Sequence, residues 1–344
     1  MSTEVQISFP GLGIETFTVN KVAFEIFGFD VRWYGIMIVL GMIMAFAYAM
    51  FRSKQEGFTK DDVLDMGLYI VIFGVLGARL YYVIMKWDTF VIPGRSLWDN
   101  LGALVNIRGG GLAIYGGVIA GALTIVIYSI IRKRNWLAAW DMVGPGVMIA
   151  QAMGRWGNFF NGEAYGGVVS EGHPLYFMRM GLLPNNVTPG TMAYVHPTFL
   201  YESLWNILGF VLINLLIYPR KKFNGQVAMS YFAWYGFGRM LIEGLRTDSL
   251  YVGSIRVSQL VGLLCFIVFT TIIVVMLIRT KKQQLLAQSE DYVPMYSSAA
   301  PEDAAQPEGQ ADVQTDAQES TDTALPLPSD EAEPEPPEDT KDIE

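Results

Sequence analysis

Long apolar runs, broken at regular intervals by basic clusters, organise this sequence. A hydrocarbon layer of about 30 Å is crossed by about 20 apolar residues in a helix. Stretches 31–51, 63–86, 112–131, 136–158, 198–218, 226–246 and 257–278 reach or approach that length. Lipid cannot hydrogen-bond a free backbone, so each stretch is expected to be helical and the fold to be an all-α polytopic membrane protein with seven transmembrane helices. The fourth and sixth are the least purely apolar. Arg52, Lys54 and Lys60 follow the first run, Arg132, Lys133 and Arg134 the third, Arg220, Lys221 and Lys222 the fifth, and Arg279, Lys281 and Lys282 the seventh. Basic residues gather at cytoplasmic junctions, so the alternation predicts an N-terminus outside and a C-terminus in the cytoplasm.

Residues 1–30, 87–111, 159–197 and 247–256 then lie outside. The first is an extracytoplasmic arm to a catalytic body spanning 31–283. The 159–197 loop is the longest, rich in Gly, Pro and aromatic residues, and predicts a small extracytoplasmic cap. Small residues at Gly74, Ala78, Gly117 and Gly121 would let helices approach closely. Over 288–344 the composition changes to Ala, Pro, Glu, Asp, Ser and Gln. Such a segment cannot bury enough apolar surface to offset its ordering entropy, which predicts a disordered acidic cytoplasmic tail.

Composition sharpens this picture. Of 344 residues, 52% are apolar and 17% charged, with mean hydropathy +0.32. Residues 290–344 hold 17 acids and one lysine, whereas 1–289 hold 16 acids and 23 bases, so the net charge of −9 describes the tail and not the body. The bases sit beside apolar runs and form no single patch, which excludes a nucleic-acid surface. The lone Cys265, inside an apolar run, excludes an internal disulfide and a Cys-based metal site, and reads as an ordinary small core residue. Met1–Asp30 lacks the charged-then-apolar order of a cleaved secretory signal, so the first run is read as the first span.

Ionisable residues inside spans are costly, about 2.5–3.5 kcal/mol each at bilayer centre on insertion scales. Tyr235, Arg239, Glu243 and Arg246 share one helical face in the sixth run. Arg155 ends the fourth run, with Asn158 and Asn161 just beyond. Arg79 lies in the outer half of the second, Glu202 in the first turns of the fifth, and Arg32 and Tyr34 at the start of the first. All fall in the outer layer, and every base among them is arginine. Guanidinium is planar, always charged and able to grip two phosphate oxygens. A polar cavity for a phospholipid headgroup fits this set; a water-soluble anion fits the charge equally well.

The fourth run ends in Gly154-Arg155-Trp156-Gly157-Asn158-Phe159-Phe160-Asn161-Gly162-Glu163, followed by Ala164-Tyr165-Gly166. This resembles the G-R-x-G-N-F-x-N-x-E-x-x-G signature of bacterial phosphatidylglycerol–prolipoprotein diacylglyceryl transferases. Arg32-Trp33-Tyr34-Gly35, Gly77-Ala78-Arg79, His196-Pro197-Thr198-Phe199-Leu200-Tyr201-Glu202 and the Tyr235-Gly236 to Arg246 segment agree in order and spacing, over about residues 20–280. The resemblance implies an enzyme of the bacterial plasma membrane, with its active site toward the outer leaflet. It would move the sn-1,2-diacylglyceryl group of phosphatidylglycerol onto the lipobox cysteine of a preprolipoprotein signal peptide, without cofactor or metal. A thioether and glycerol-1-phosphate are the implied products. Many members have a histidine before the Gly-Gly pair that opens the third span, where this chain has Tyr115. Tyrosine, with a pKa near 10, is a poor base at neutral pH.

From these residues, Arg155 and Arg239 are expected to clamp the phosphate and to stabilise charge on the leaving group. Asn158 and Asn161 are expected to bind the glycerol headgroup, although capping the fourth helix is an equally good role. Glu163, Glu202 and Glu243 would orient the arginines, and Arg246 would guide the phosphate. Tyr34 would contribute to substrate binding, while Tyr115 and Tyr235 would hydrogen-bond the phosphate. The arginines' positive field would raise the thiolate fraction of the attacking cysteine. His196 is read as structural before catalytic, and His173 as uninvolved. The main competing class is an anion transporter, whose site would lie near the midplane between repeated halves; no repeat is evident here.

Overall fold

A computed structural model of the chain describes residues 3–90, 96–106, 110–186, 188, 190–247, 251–253 and 255–287. The expectation of a disordered tail over 288–344 lies outside these residues. The body is helical: α1 (Trp33–Arg52), α2 (Lys60–Met85), the short α3 (Trp87–Phe90) and α4 (Leu97–Val105), then α5 (Ile114–Ile131), α6 (Trp136–Asn161), α7 (Thr198–Leu212), α8 (Gln226–Ile242) and α9 (Val257–Ala287). Helical segments at 33–56, 60–85, 114–131, 198–220 and 257–287 are long and apolar enough to cross a membrane. α6 and α8, which carry the polar residues of the expected outer layer, fall short of that standard. The chain is a multi-pass membrane protein. Apolar side chains, among them Ile43, Leu80, Val118 and Ile278, stand exposed along these helices, as a surface suited to lipid requires.

The helices pack as pairs around α6, which touches α1, α5, α7 and α8, while α2 packs on α5 and α8 on α9. Lipid tails are as apolar as leucine, so tight backbone approach replaces hydrophobic driving force here. α2 and α5 meet along the small residues read from the sequence, and most tightly at Gly77 and Gly116. A Cβ on Gly77 would stand 2.7 Å from the Gly116 carbonyl oxygen.

One end of the bundle gathers the basic junctions. Thr59 caps α2 reciprocally with Asp62, which also pairs with Arg132 and Arg134. Lys221, just after α7, bridges Glu56 and Asp141. The α7 helix widens into a π turn over Ile213–Ile217 on its way there.

The other end carries the cap, and the cap is β structure. Strands β1 (Glu4–Phe9) and β2 (Ile14–Asn20) come from the N-terminal arm, and β5 (Met180–Leu183) and β6 (Ala193–Val195) from the 159–197 loop. They form one antiparallel sheet in the order β2-β1-β5-β6. Arm and loop are thus a single unit, with Ile7 opposite Leu182. Val5, Ile7, Leu182 and Val195 are almost fully buried beside Tyr165 and Phe199. Two hairpins flank the helices, β3 (Val22–Ile26) with β4 (Phe29–Arg32) and β7 (Tyr251–Val252) with β8 (Ile255–Arg256).

Candidate active site

α6 delivers Arg155 to the cap end, α7 delivers Glu202 in its second turn, and α8 delivers Arg239, with Glu243 and Arg246 in the turn that follows. Glu202 is where they meet. Its carboxylate takes Arg155 Nη2 at 2.7 Å, Arg246 Nη1 at 2.9 Å and Arg239 Nη1 at 3.4 Å. Glu243 Oε2 lies 2.6 Å from Arg239 Nη2 and 4.0 Å from Arg246 Nε. Three guanidinium groups thus face two carboxylates, all largely withdrawn from water, leaving one net positive charge. Arg155 and Arg239 occupy one compartment, as a shared clamp requires.

The signature segment holds this cluster in place. Arg155 Nη1 donates to Asn158 Oδ1, and the side-chain amides of Asn158 and Asn161 both donate to Glu163 Oε1 at 3.1 and 3.0 Å. The other amide atom of Asn161, Oδ1, is buried without a hydrogen-bond partner among the described residues. Such an orphan acceptor is costly unless a ligand satisfies it. Beside it a polar cavity of about 370 Å³ opens between α6 and the cap, lined in part by Lys21, Asn161, Glu163 and Thr247.

The signature's glycines are points of close approach. A Cβ on Gly157 would meet the Tyr34 ring at 2.8 Å, which places Tyr34 against the end of α6. Gly162 ends α6 at φ +63, and a Cβ there would strike Val5 of β1 at 2.8 Å. At Gly166 the obstacles would be His196 Cβ and the Leu245 carbonyl. The backbone of Gly166 bridges that of Arg246, and Gly167 N–H donates to Leu245 O, so the signature loop also fixes the arginine beyond α8.

The remaining candidates divide. Tyr235 lines a small crevice with Glu202, Asn206 and Arg239, beside the cluster. Tyr115 stands elsewhere: its ring, 58% exposed, lies 6.4 Å from that of Tyr81 on α2. Arg79 is buried and donates to the carbonyl oxygens of Ala103, Leu104, Gly110 and Gly111, fastening the α4 segment to α2. Two supports escaped the sequence reading. Arg256 Nη1 donates to Glu243 O, and Thr198 Oγ1 to Ala164 O at the foot of the signature loop. Both act on backbone oxygens, which leave no trace in residue spacing. Among the described residues no group of three or more His, Cys, Asp or Glu side chains is arranged to hold a metal ion.

The chain's two histidines, distant in sequence, pack edge to face with ring centroids 4.9 Å apart. His173 Nδ1 accepts from Leu175 N–H, and His196 Nδ1 lies 3.3 Å from the Tyr201 hydroxyl. Burial, and then the proximity of His173, hold His196 below the usual histidine pKa. The fold therefore resists a proton that the unfolded chain accepts. Stability from this site is fully present above about pH 6.5, and is lost as pH falls through the lower folded-state value. Thermal unfolding followed from pH 7.5 to 5 should show a decline in midpoint that His196→Gln lacks; parallel declines would remove His196 as its source.

Fold and site together define a multi-pass membrane protein with an arginine–glutamate centre under a β cap. The prolipoprotein diacylglyceryl transferase model matches residues 21–276, and the chain belongs to that family. Phosphatidylglycerol–prolipoprotein diacylglyceryl transferase 1 of Clostridium perfringens (strain 13 / Type A) is 43% identical over 270 residues, covering 77% of this chain and 98% of the relative. The transferase of Finegoldia magna is 43% identical over 267 residues, covering 77% and 97%. That of Streptococcus agalactiae serotype Ia is 42% identical over 270 residues, covering 77% and 98%.

Proposed function

We propose that this chain transfers the sn-1,2-diacylglyceryl group of phosphatidylglycerol to the lipobox cysteine of preprolipoproteins, in the outer leaflet of a bacterial plasma membrane. Membership of the family supports the reaction class. The convergence of Arg155, Arg239 and Arg246 on Glu202 supports the place where it occurs. The cysteine sulfur forms a C–S bond to the glyceryl carbon while that carbon's C–O bond to phosphate breaks. The bonding pair leaves on the phosphate oxygen, the thiol proton is released, and glycerol-1-phosphate departs. Negative charge therefore grows on the phosphate, and guanidinium groups already fixed in a water-poor site stabilise it without reorganising. Arg155 and Arg239 clamp the phosphate, Glu202 and Glu243 set their orientation, and Arg246 guides the headgroup in. Asn158 and Asn161 bind its glycerol, a role favoured by the orphan Asn161 oxygen. Tyr34 buttresses the end of α6 at Gly157, Tyr235 hydrogen-bonds the phosphate, and Tyr115, exposed beside Tyr81 and apart from the cluster, has no part in the clamp. The same positive field lowers the thiol pKa of the incoming cysteine, so that no dedicated histidine is required.

In this reading seven helices cross the bilayer, with α6 and α8 carried across by their neighbours and the basic end in the cytoplasm. The deciding experiment incubates a lipobox peptide with the purified protein in phosphatidylglycerol vesicles. Mass spectrometry should find a gain equal to one diacylglyceryl group on the cysteine, with glycerol-1-phosphate in the supernatant. An unmodified peptide would end the proposal. Deleting 288–344 should leave the rate within about twofold, because the family match ends at residue 276; loss of activity would give the tail a role in turnover.

A further inference from the structure

We propose that the basic end of the bundle holds a second anion site, in which Arg52 binds the phosphate of a net-anionic headgroup far from the reaction centre. A cavity of about 550 Å³ opens there between the ends of α1 and α7, lined by Arg52, Glu56, Asn214, Tyr218, Lys221 and Lys222 among others. Its size suits a small ligand. Asp141, at this end of α6, and Arg155, in the active-site cluster, are 14 residues apart on that helix, which is about 21 Å along its axis.

The charges in this cavity are unevenly matched. Its one lining carboxylate, Glu56, and Asp141, which shares Lys221 with it, are already satisfied. Glu56 takes Lys221 and the Tyr218 hydroxyl, while Asp141 takes Lys221 and the backbone N–H groups of Gly225 and Ala228. Arg52 has no carboxylate partner among the described residues. Its guanidinium is instead held flat by neutral groups: Nε to the Tyr48 hydroxyl at 3.2 Å, Nη1 to Gln55 Oε1 at 2.7 Å and Nη2 to Asn214 Oδ1 at 2.7 Å. Tyr218 supports it from below, 4.0 Å from the ring centroid. Arg52, Lys221 and Lys222 against Glu56 and Asp141 leave a net positive charge.

The backbone is shaped for this arrangement. Asn214 belongs to the π turn of α7, a local widening that recurs at functional sites. Its Oδ1 accepts from both Tyr48 and Arg52 while its Nδ2 is fixed on Phe210 O. A cation oriented by four neutral groups and matched by no acid is preorganised for an anion from outside, and a planar fork suits phosphate. The surroundings favour a lipid as its source: Phe51, Leu215 and Leu216 stand exposed on the adjoining faces of α1 and α7, where acyl chains would lie. Which leaflet this is rests on the orientation proposed above; the anion site itself does not.

The test uses the full chain in detergent, with a photoreactive phenylalanine analogue at position 51. Phosphatidylglycerol should crosslink saturably there, and phosphatidylcholine should not. In Arg52→Gln, half-maximal crosslinking should need about tenfold more phosphatidylglycerol, the loss expected for one charge-assisted hydrogen bond. Transfer at saturating substrate should stay within about twofold. Inorganic phosphate that competes at millimolar concentration would identify a soluble source for the same anion site. Equal capture of phosphatidylcholine by the unsubstituted chain would overturn the proposal. Unchanged capture by Arg52→Gln would overturn it too, and if that variant does not fold, the comparison of the two lipids still decides.

Discussion

Arg239→Ala is expected to lower diacylglyceryl transfer by about 10²–10³-fold, the usual loss when one donor to developing charge is removed. The guanidinium reaches both Glu202, at 3.4 Å, and Glu243, at 2.6 Å, so its orientation is fixed before substrate arrives. Arg155→Ala should behave alike, because its fork spans Glu202 and Asn158. Lysine at either position keeps the charge but loses the second arm, and should recover only part of the rate. The assay is transfer to a fluorescent lipobox peptide in phosphatidylglycerol vesicles, with thermal unfolding as the control for folding. Near-normal turnover by both alanine variants would refute the clamp.

Glu202→Gln should produce the largest loss of stability of any single change at the site. Arg155 would then lose its carboxylate, Arg239 and Arg246 would keep only Glu243 of the two, and leaving buried charge without its partner costs about 3–5 kcal/mol. Glu202 is 5% exposed, so solvent offers little relief. For a body of this size the unfolding midpoint should fall by roughly 5–15 °C. Adding Arg246→Gln to the first substitution should return part of that loss, because the cation released from its partner is then absent. A midpoint unmoved by Glu202→Gln would mean that water or lipid headgroups screen the cluster.

The helices were legible because lipid forces each apolar run to satisfy its backbone internally. The run at 136–158 became α6 at 136–161, and 112–131 became α5 at 114–131. Glu202, Arg239 and Arg155 were legible as a group because charge inside an apolar run demands partners, and helical spacing says which end of the run carries it. The β cap was not legible: a cap was expected from 159–197 alone, whereas two of its four strands come from the arm. β1 at residues 4–9 pairs with β5 at 180–183, and no local pattern links two short segments so far apart. Arg79 read as another member of the outer arginine layer, yet its four partners are carbonyl oxygens. The edge contact between His173 and His196 was hidden for the same reason as the cap, since it depends on how one loop folds back.

Glu202 also has a bearing on which anions can act as inhibitors. The protein carries a carboxylate of its own where a headgroup phosphate would settle, tethered at high effective concentration. Sulfate or phosphate from the medium has to outcompete that built-in rival from dilute solution. A lipid confined to the bilayer arrives with its own local enrichment, and gains from burying its chains as well. Selectivity for membrane-borne substrate would then come from competition inside the protein, before any recognition of glycerol.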